Sequence, residues 1–336
     1  MSGQTLSRPG QVLKLLLEAS APRSGQEMGA LLGCSRAAVG KAVDVLRAQG
    51  FGIEARPNAG YLLLHEPPLP LPARLEALLP TGGLGLPLWY FSEIDSTNLE
   101  ARRRAEQGAP HGACLVAEYQ SAGRGRLDRR WSAPAGSCLL FSLLLRPDMA
   151  LAEVFGLTNL MAVALCRAIE DQCGLEPAIK WPNDVFLEGR KLAGILSEFT
   201  CRAERLDHVV VGVGLNVNLT PQDLAHLPAP AASLLAASGQ TWDRAPLLAA
   251  IMREASDLYG QLLAGGRQRL TAEYNQRSWL QDRMVEVRQG DQVLSGWARG
   301  VAEDGALVLE QATGQTTLIR HGDVSVLSVD HVILKP

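Results

Sequence analysis

Residues 117–131 read AEYQSAGRGRLDRRW, placing Gly123 and Gly125 among Arg124, Arg126, Arg129 and Arg130 behind a short apolar strand that ends near Tyr119. Glycines cost chain entropy and clustered arginines repel one another, so folding alone does not ask for this stretch. Arginine offers a fixed fork of donors to carboxylates and phosphates, and glycine lets backbone N–H groups come close to an anion. The stretch therefore reads as a clamp for an acidic, phosphorylated ligand, with a solvated charged surface loop as the alternative.

Two further stretches decide between these readings: KWPND at 180–184 and GRKLAGILSE at 189–198. Lys191 opens an otherwise apolar run, where an ammonium group is costly unless an anion meets it. With the arginine loop, with DSTN at 95–98 before it and with VGVGLN at 211–216 after it, these segments resemble the biotin protein ligases. That family's hallmark set is GRGRxGRxW, KWPND and RKLAGIL, in this order. One departure is Asp128, which stands where the family has glycine. A second is AASLL at 231–235, where repressor relatives place an aromatic over the nucleotide.

The whole chain, 336 residues with 47% hydrophobic and 20% charged residues, has the material for two or three globular domains. No apolar run reaches the roughly eighteen residues of a membrane span, and the first thirty residues lack the order of a signal peptide, so a cytoplasmic protein is expected. Six cysteines without CxxC or Cys/His ligand spacing read as reduced thiols. The net charge of −3 hides an asymmetry, since residues 1–65 carry seven Lys/Arg against four Asp/Glu.

That basic segment has a helix-turn-helix pattern. An apolar face at 12–17 marks a first helix; SGQE at 24–27 reads as a capping box opening a second, which stops at Gly33; Ser35 caps a third that runs to Gly50. On the third helix Ala38, Val39, Ala42, Val45 and Leu46 are expected inside and Arg36, Lys41 and Arg47 outside. Residues 51–64 read as a two-stranded wing that carries Arg56. Ser35, Arg36, Lys41, Arg47 and Arg56 are thus the candidate DNA contacts. SRAAVGKAVDVLRAQGF followed by GYLL is similar to the winged helix of those biotin ligases that also act as repressors.

HEPPLPLPA at 65–73 has four prolines in nine residues and reads as a stiff linker. Beyond it, strands at 88–93, 114–119, 137–145 and 208–218, a bent hairpin at 178–199, and helices at 97–107, 151–173, 245–263 and 270–277 make a mixed α/β layer. From 284 onward short alternating strands separated by glycine turns suggest a small barrel. The expected fold is a multidomain α/β protein. Residues 1–65 form a winged helix-turn-helix and 66–280 a central ligase domain, class II synthetase-like by the resemblance. Residues 281–336 form an SH3-like β-barrel.

The resemblance implies two half-reactions: activation of biotin by ATP to biotinyl-5′-AMP, then transfer to a lysine of a biotin carboxyl carrier domain. It carries biotin contacts to Ser96, Thr97, Asn98, Gln120, Arg124, Gly125, Arg126 and Lys191, and an adenine-reading role to Asn216. From the chemistry, Ser96, Thr97 and Gln120 suit the ureido group, Trp131 and Leu192 the apolar chain, and Lys191 the carboxylate. Arg124, Lys180, Asn183, Gly212, Gly214 and Asn216 are assigned to ATP, and Asp184 to Mg²⁺. Lys191, Arg126 and Asp184 are the candidate catalytic groups, with Asp184 assisting proton removal in the transfer step. Repressor members also imply operator DNA and a ligand-promoted homodimer. The alternatives are a ligase whose winged helix is not regulatory and a non-catalytic transcription factor that senses biotin.

Overall fold

The computed structural model describes residues 6–127, 129–202 and 205–327. Asp128 lies outside the described residues.

At the N-terminus, α1 (Arg8–Leu17), α2 (Gly25–Leu31) and α3 (Arg36–Ala48) precede a hairpin of β1 (Gly52–Arg56) and β2 (Gly60–His65). Ser7, Ser24 and Ser35 each cap a helix by accepting a backbone N–H of its first turn. The expected capping box at α2 is only half formed, because Glu27 turns to Arg23 at 3.7 Å instead. Val12, Leu13, Met28, Val39, Val43, Leu46 and Phe51 fill the core. Val43, not Val45, takes the inward position on α3, and Val45 is 44% exposed. The turn between α2 and α3 passes through Gly33 at φ +61°, and Asn58 at φ +58° turns the wing.

The proline-rich segment is shorter than expected. Pro72 lies in the first turn of α4 (Pro72–Leu78), where its missing N–H costs nothing. Leu71 and Ala73 complete the winged-helix core, whereas Leu75 belongs to the central core. Within α4 Arg74 is only 4% exposed. It donates to Glu66 at 2.9 Å, to the Pro67 and Leu69 carbonyls, and with both terminal nitrogens to Asp243 at 2.9 and 2.6 Å. One guanidinium thus ties the linker to the central domain. Arg74→Met keeps the length and removes every donor, so we expect a loss of about 2–3 kcal/mol, less than for a fully buried pair because Asp243 is partly exposed. Urea titration checks it; an unchanged midpoint would show that the Arg74 network adds nothing to stability.

The central domain continues with β3 (Leu88–Phe91), α5 (Thr97–Glu106), β4 (Cys114–Ala117), β5 (Cys138–Leu145), α6 (Phe155–Cys173), β6 (Ala178–Lys180), β7 (Asp184–Leu187), β8 (Arg190–Arg202) and β9 (Arg205–Asn216). Four helices follow: α7 (Pro221–Ala225), α8 (Leu234–Ser238), α9 (Arg244–Leu263) and α10 (Arg267–Gln276). The expected helix at 151–173 is divided, with a 3-10 turn at Leu151–Glu153 preceding α6. The strands form one seven-stranded sheet in the order β3-β4-β5-β9-β8-β7-β6, parallel only between β3 and β4. Every residue of β5 is buried, as a strand covered on both faces requires. Leu139, Phe141 and Leu143 join the main core with α6 and α9. The alternate residue Ser142 reaches the first turn of α5. This second face of the sheet carries the site.

The C-terminal strands β10 (Met284–Gln289), β11 (Gln292–Val301), β12 (Leu307–Glu310), β13 (Thr316–Ile319) and β14 (Asp323–Val326) form an antiparallel sheet in the order β13-β12-β11-β10-β14. Its inward residues, Val285, Val287, Leu307 and Leu309 among them, extend the main core. Trp181 of KWPND, 1% exposed, donates from Nε1 to the Gly305 carbonyl at 3.0 Å and anchors this sheet. Among the described residues no helix is long and apolar enough to cross a membrane, and the six cysteines are unpaired.

Candidate functional site

The floor of the site is the N-terminus of α5. Ser96, Thr97 and Asn98 are all buried there. Thr97 donates its backbone N–H and its hydroxyl to Gln120 Oε1 at 2.7 and 3.1 Å. Asn98 donates to the Leu196 carbonyl and to Glu198 Oε2 at 3.2 and 2.8 Å. Ser142 Oγ lies 2.6 Å from Asn98 Oδ1 and 2.8 Å from Thr97 Oγ1, and its single proton serves one of them at a time. Ser96 holds the cap position without a side-chain cap bond; Asp95 instead accepts the Ser96 N–H at 2.6 Å. Arg103 beside it holds the Asp95 carboxyl below its ordinary range. These polar groups hold one another in place along one wall of a cleft.

The roof is the arginine loop. Trp131 N–H donates to the Gly123 carbonyl at 3.1 Å and Gly125 N–H to the Arg129 carbonyl at 2.7 Å, so the segment doubles back as a narrow ribbon. A Cβ on Gly123 would run into the Trp131 carbonyl, which explains that glycine without any ligand. Arg124 donates to Glu198 Oε1 at 3.1 Å, and Arg126 to Asn183 Oδ1 at 3.2 Å and to the Gly322 carbonyl at 3.4 Å. Arg129 pairs with Asp323. Burial presses Arg126 below its ordinary pKa, and the charges of Asp323 and Asp184 offset part of that cost.

Between floor and roof stands Lys191 on β8. Its Nζ lies 2.7 Å from Asp184 Oδ1 and 5.8 Å from the centre of the Trp131 ring. Lys180, burial of which lowers its pKa, holds its Nζ 5.1 Å from the Phe186 ring. Asn183 spans to β8 by donating to the Ile195 carbonyl at 2.7 Å. Together these groups enclose a cleft of roughly 350 Å³ with six basic side chains and two carboxylates along its walls. Such an excess of cations selects an anionic ligand.

Of the expected ligand residues, Ser96, Thr97, Asn98, Gln120, Arg124, Gly125, Arg126, Lys180, Asn183, Asp184, Lys191, Gly212 and Gly214 all line this cleft. Asn216 does not. Its amide donates to the Ala232 carbonyl at 2.9 Å and lies 3.5 Å from the Lys191 carbonyl, so it fastens the 230–232 segment to β8. Gly212 and Gly214 line the cleft but have a structural reason as well, because the Asn98 and Trp131 side chains occupy the space above them. A Cβ on Gly212 would fall 2.7 Å from Asn98 Cγ, and one on Gly214 would fall 2.7 Å from Trp131 Cζ2. Leu192 is fully buried in the core, and Ile195, Leu196 and Val213 supply the cleft's apolar wall with Trp131. Trp131 Nε1 is buried without an acceptor, a donor free for a ligand.

Sequence reasoning missed Asp323 and Ser325 of β14, which bring the C-terminal domain into the cleft, and Glu198 behind it. Glu198 carried a signal, as a carboxylate ending the motif at 189–198. Asp323 carried none beyond a glycine turn. Among the described residues no group of three or more His, Cys, Asp or Glu side chains could hold a metal ion.

On the winged helix, Arg36 and Lys41 are exposed on α3 and Arg56 on the wing, where it pairs with Glu54 at 2.8 Å. Arg47 is diverted. Its Nε and Nη2 donate to the Ile53 carbonyl at 3.0 and 2.8 Å, which joins α3 to the wing and removes those donors from the expected DNA face. Ser35 Oγ is likewise engaged by the Ala38 N–H it caps.

Residues 90–216 match the biotin/lipoate A/B protein ligase family, residues 8–62 a helix-turn-helix domain and residues 282–327 the biotin protein ligase C-terminal domain. The bifunctional ligase/repressor BirA of Bacillus subtilis is 35% identical over 292 residues, covering 87% of this chain and 90% of that protein. BirA of Escherichia coli is 32% identical, covering 86% and 88%. Among solved structures, the biotin protein ligase of Aquifex aeolicus in complex with biotin and ATP superposes with a TM-score of 0.61 at 26% identity, over 71% of this chain and 98% of that one. The chain belongs to the biotin protein ligase family, with the helix-turn-helix domain and C-terminal domain of its ligase/repressor members.

Proposed function

We propose that the protein is an ATP-dependent biotin protein ligase that also acts as a biotin-responsive repressor. The observation that carries the ligase reading is the cationic cleft around Lys191, enclosed between the polar N-terminus of α5 and the arginine loop. In the first half-reaction a biotin carboxylate oxygen attacks the α-phosphorus of ATP; the new O–P bond forms as the bond to pyrophosphate breaks. Two anions must meet, so Lys191 bridges them while Arg124 holds the biotin carboxylate and Arg126 takes up charge on the transferred group. Ser96, Thr97 and Gln120 face the ureido end, Trp131 and Val213 the apolar chain, and Lys180 and Asn183 the phosphates.

The residues fit Mg²⁺ only as a companion of the nucleotide. Asp184 offers one carboxylate already paired with Lys191, and a metal that keeps several waters and phosphate oxygens needs no more from the protein. It would neutralise phosphate charge there. In the second half-reaction the acceptor lysine, on a carboxyl carrier domain, attacks the acyl carbon and AMP leaves. Asp184 takes the amine's proton.

For repression, Arg36, Lys41 and Arg56 supply the cations that reach operator DNA, in a dimer that ligand binding favours. A single preparation tests both activities, by biotin incorporation into a carrier domain and by binding to DNA from upstream of biotin-synthesis genes, with and without biotin and ATP-Mg²⁺. Incorporation together with ligand-strengthened DNA binding is the expected result. Incorporation with DNA binding indifferent to ligand would leave a ligase with a non-regulatory winged helix. Ligand-dependent DNA binding without incorporation would leave a sensor.

A further inference from the structure

Glu198, on β8, is a carboxylate that touches both the floor and the roof of the cleft without lining it. Its Oε2 accepts from Asn98 Nδ2 at 2.8 Å and its Oε1 from Arg124 Nη1 at 3.1 Å, and Arg102 Nη1 stands 3.9 Å away. Asn98 comes from the first turn of α5 and Arg124 from the arginine loop, and each is a donor toward Glu198. A long arginine side chain loses much rotamer freedom when a ligand fixes it, and a carboxylate that holds it beforehand removes part of that loss from the binding step.

We propose that Glu198 is a positioning residue for biotin, locking Asn98 and Arg124 into one frame so that the ureido end and the carboxylate end of the substrate meet partners already in place. The proposal rests on the reading of the cleft as the biotin site. Its chemistry demands a carboxylate specifically. A glutamine of the same shape has one accepting oxygen and one donating NH₂, and the NH₂ must face either the Asn98 amide or the Arg124 guanidinium, both of them donors. One contact is therefore lost while volume and strand are kept.

For Glu198→Gln we expect the dissociation constant for biotin and the KM for biotin to rise about 10-fold, the loss of one charge-assisted bond at a partly exposed site. At saturating biotin the bound substrate itself holds Arg124 in place, so kcat for ATP–pyrophosphate exchange stays within about twofold while the dissociation constant and KM carry the loss. A variant that only loosened the fold would lower kcat and the unfolding temperature together. The second measurement is a cycle with Arg124→Gln: if Glu198 acts partly through Arg124, the two substitutions combine to less than the product of their separate effects. A biotin dissociation constant within twofold of the unsubstituted protein, a parallel fall in kcat and thermal stability, or independent effects in the cycle would each overturn the proposal. Biotin binding without exchange in the unsubstituted protein would sink the ligase reading alone. No biotin binding at all would sink the reading of the site and the role of Glu198 with it.

Discussion

Lys191→Ala is expected to slow biotin-dependent ATP–pyrophosphate exchange by about 10²–10³-fold, the usual cost of removing one preorganised charge from a transition state. The geometry makes the loss twofold in kind. The ammonium that bridges carboxylate and α-phosphate disappears, and Asp184, 2.7 Å from it, is left without its cation in a cleft that must admit anions. The activated intermediate is expected to leave faster as well, so rapid-quench measurement of biotinyl-AMP release provides a second readout. Lys191→Arg does not restore the rate, because a planar fork cannot take the place of a point charge seated 5.8 Å from the Trp131 ring. Exchange within tenfold of the unsubstituted enzyme would remove Lys191 from the chemistry and transfer the role to Arg126 or Lys180.

The features most legible in the sequence were those that a core or a surface would not ordinarily ask for. Arginines set among glycines at 123–126, and a lysine opening the run KLAGIL, are costly to bury, and both ended in one cleft, although Gly123 also has a purely structural reason in its approach to the Trp131 carbonyl. Regular elements were legible where one pattern dominated, as in β5, apolar but for Ser142, and the alternating C-terminal strands. What could not be read was set by partners distant in the chain. Arg47 and Arg36 look alike on a helical face, yet the Ile53 carbonyl claims only the first. Four prolines concealed α4, whose stability depends on Arg74 reaching Asp243, 169 residues away. Asn216 stands where a base-reading amide is expected, but the chain at 230–232 folds back and takes its donors. Each miss is a hydrogen bond whose acceptor no local pattern announces.

The glycines of VGVGLN illustrate the same point and yield the second large effect. Residues 212 and 214 lie on the same face of β9, and in this cleft that face meets the floor and the roof at once. A Cβ on Gly214 would stand 2.7 Å from Cζ2 and 2.8 Å from Cδ2 of Trp131. The indole also lies close over Gly194 of the neighbouring strand, where an added Cβ would stand 3.1 Å from its Cζ3, and its backbone is tied to Gly123. Gly214→Ala must therefore expel the ring, and with it the ribbon that carries Arg124 and Arg126. We expect a stability loss of about 1–3 kcal/mol from overpacking. The activity loss should be larger, about 10²-fold or more in exchange, because a site displaced by an ångström loses its orientation. The double variant Gly214→Ala with Trp131→Ala separates the causes. Removing the ring relieves the clash, so stability should recover relative to Gly214→Ala while exchange stays low. If exchange recovers with stability, the loop does not depend on Trp131 for its position, and the indole is only a cover over the sheet. If Gly214→Ala alone is as active as the unsubstituted enzyme, the ring has another resting place, and the close approach of sheet and loop is not what the second glycine of this motif is for.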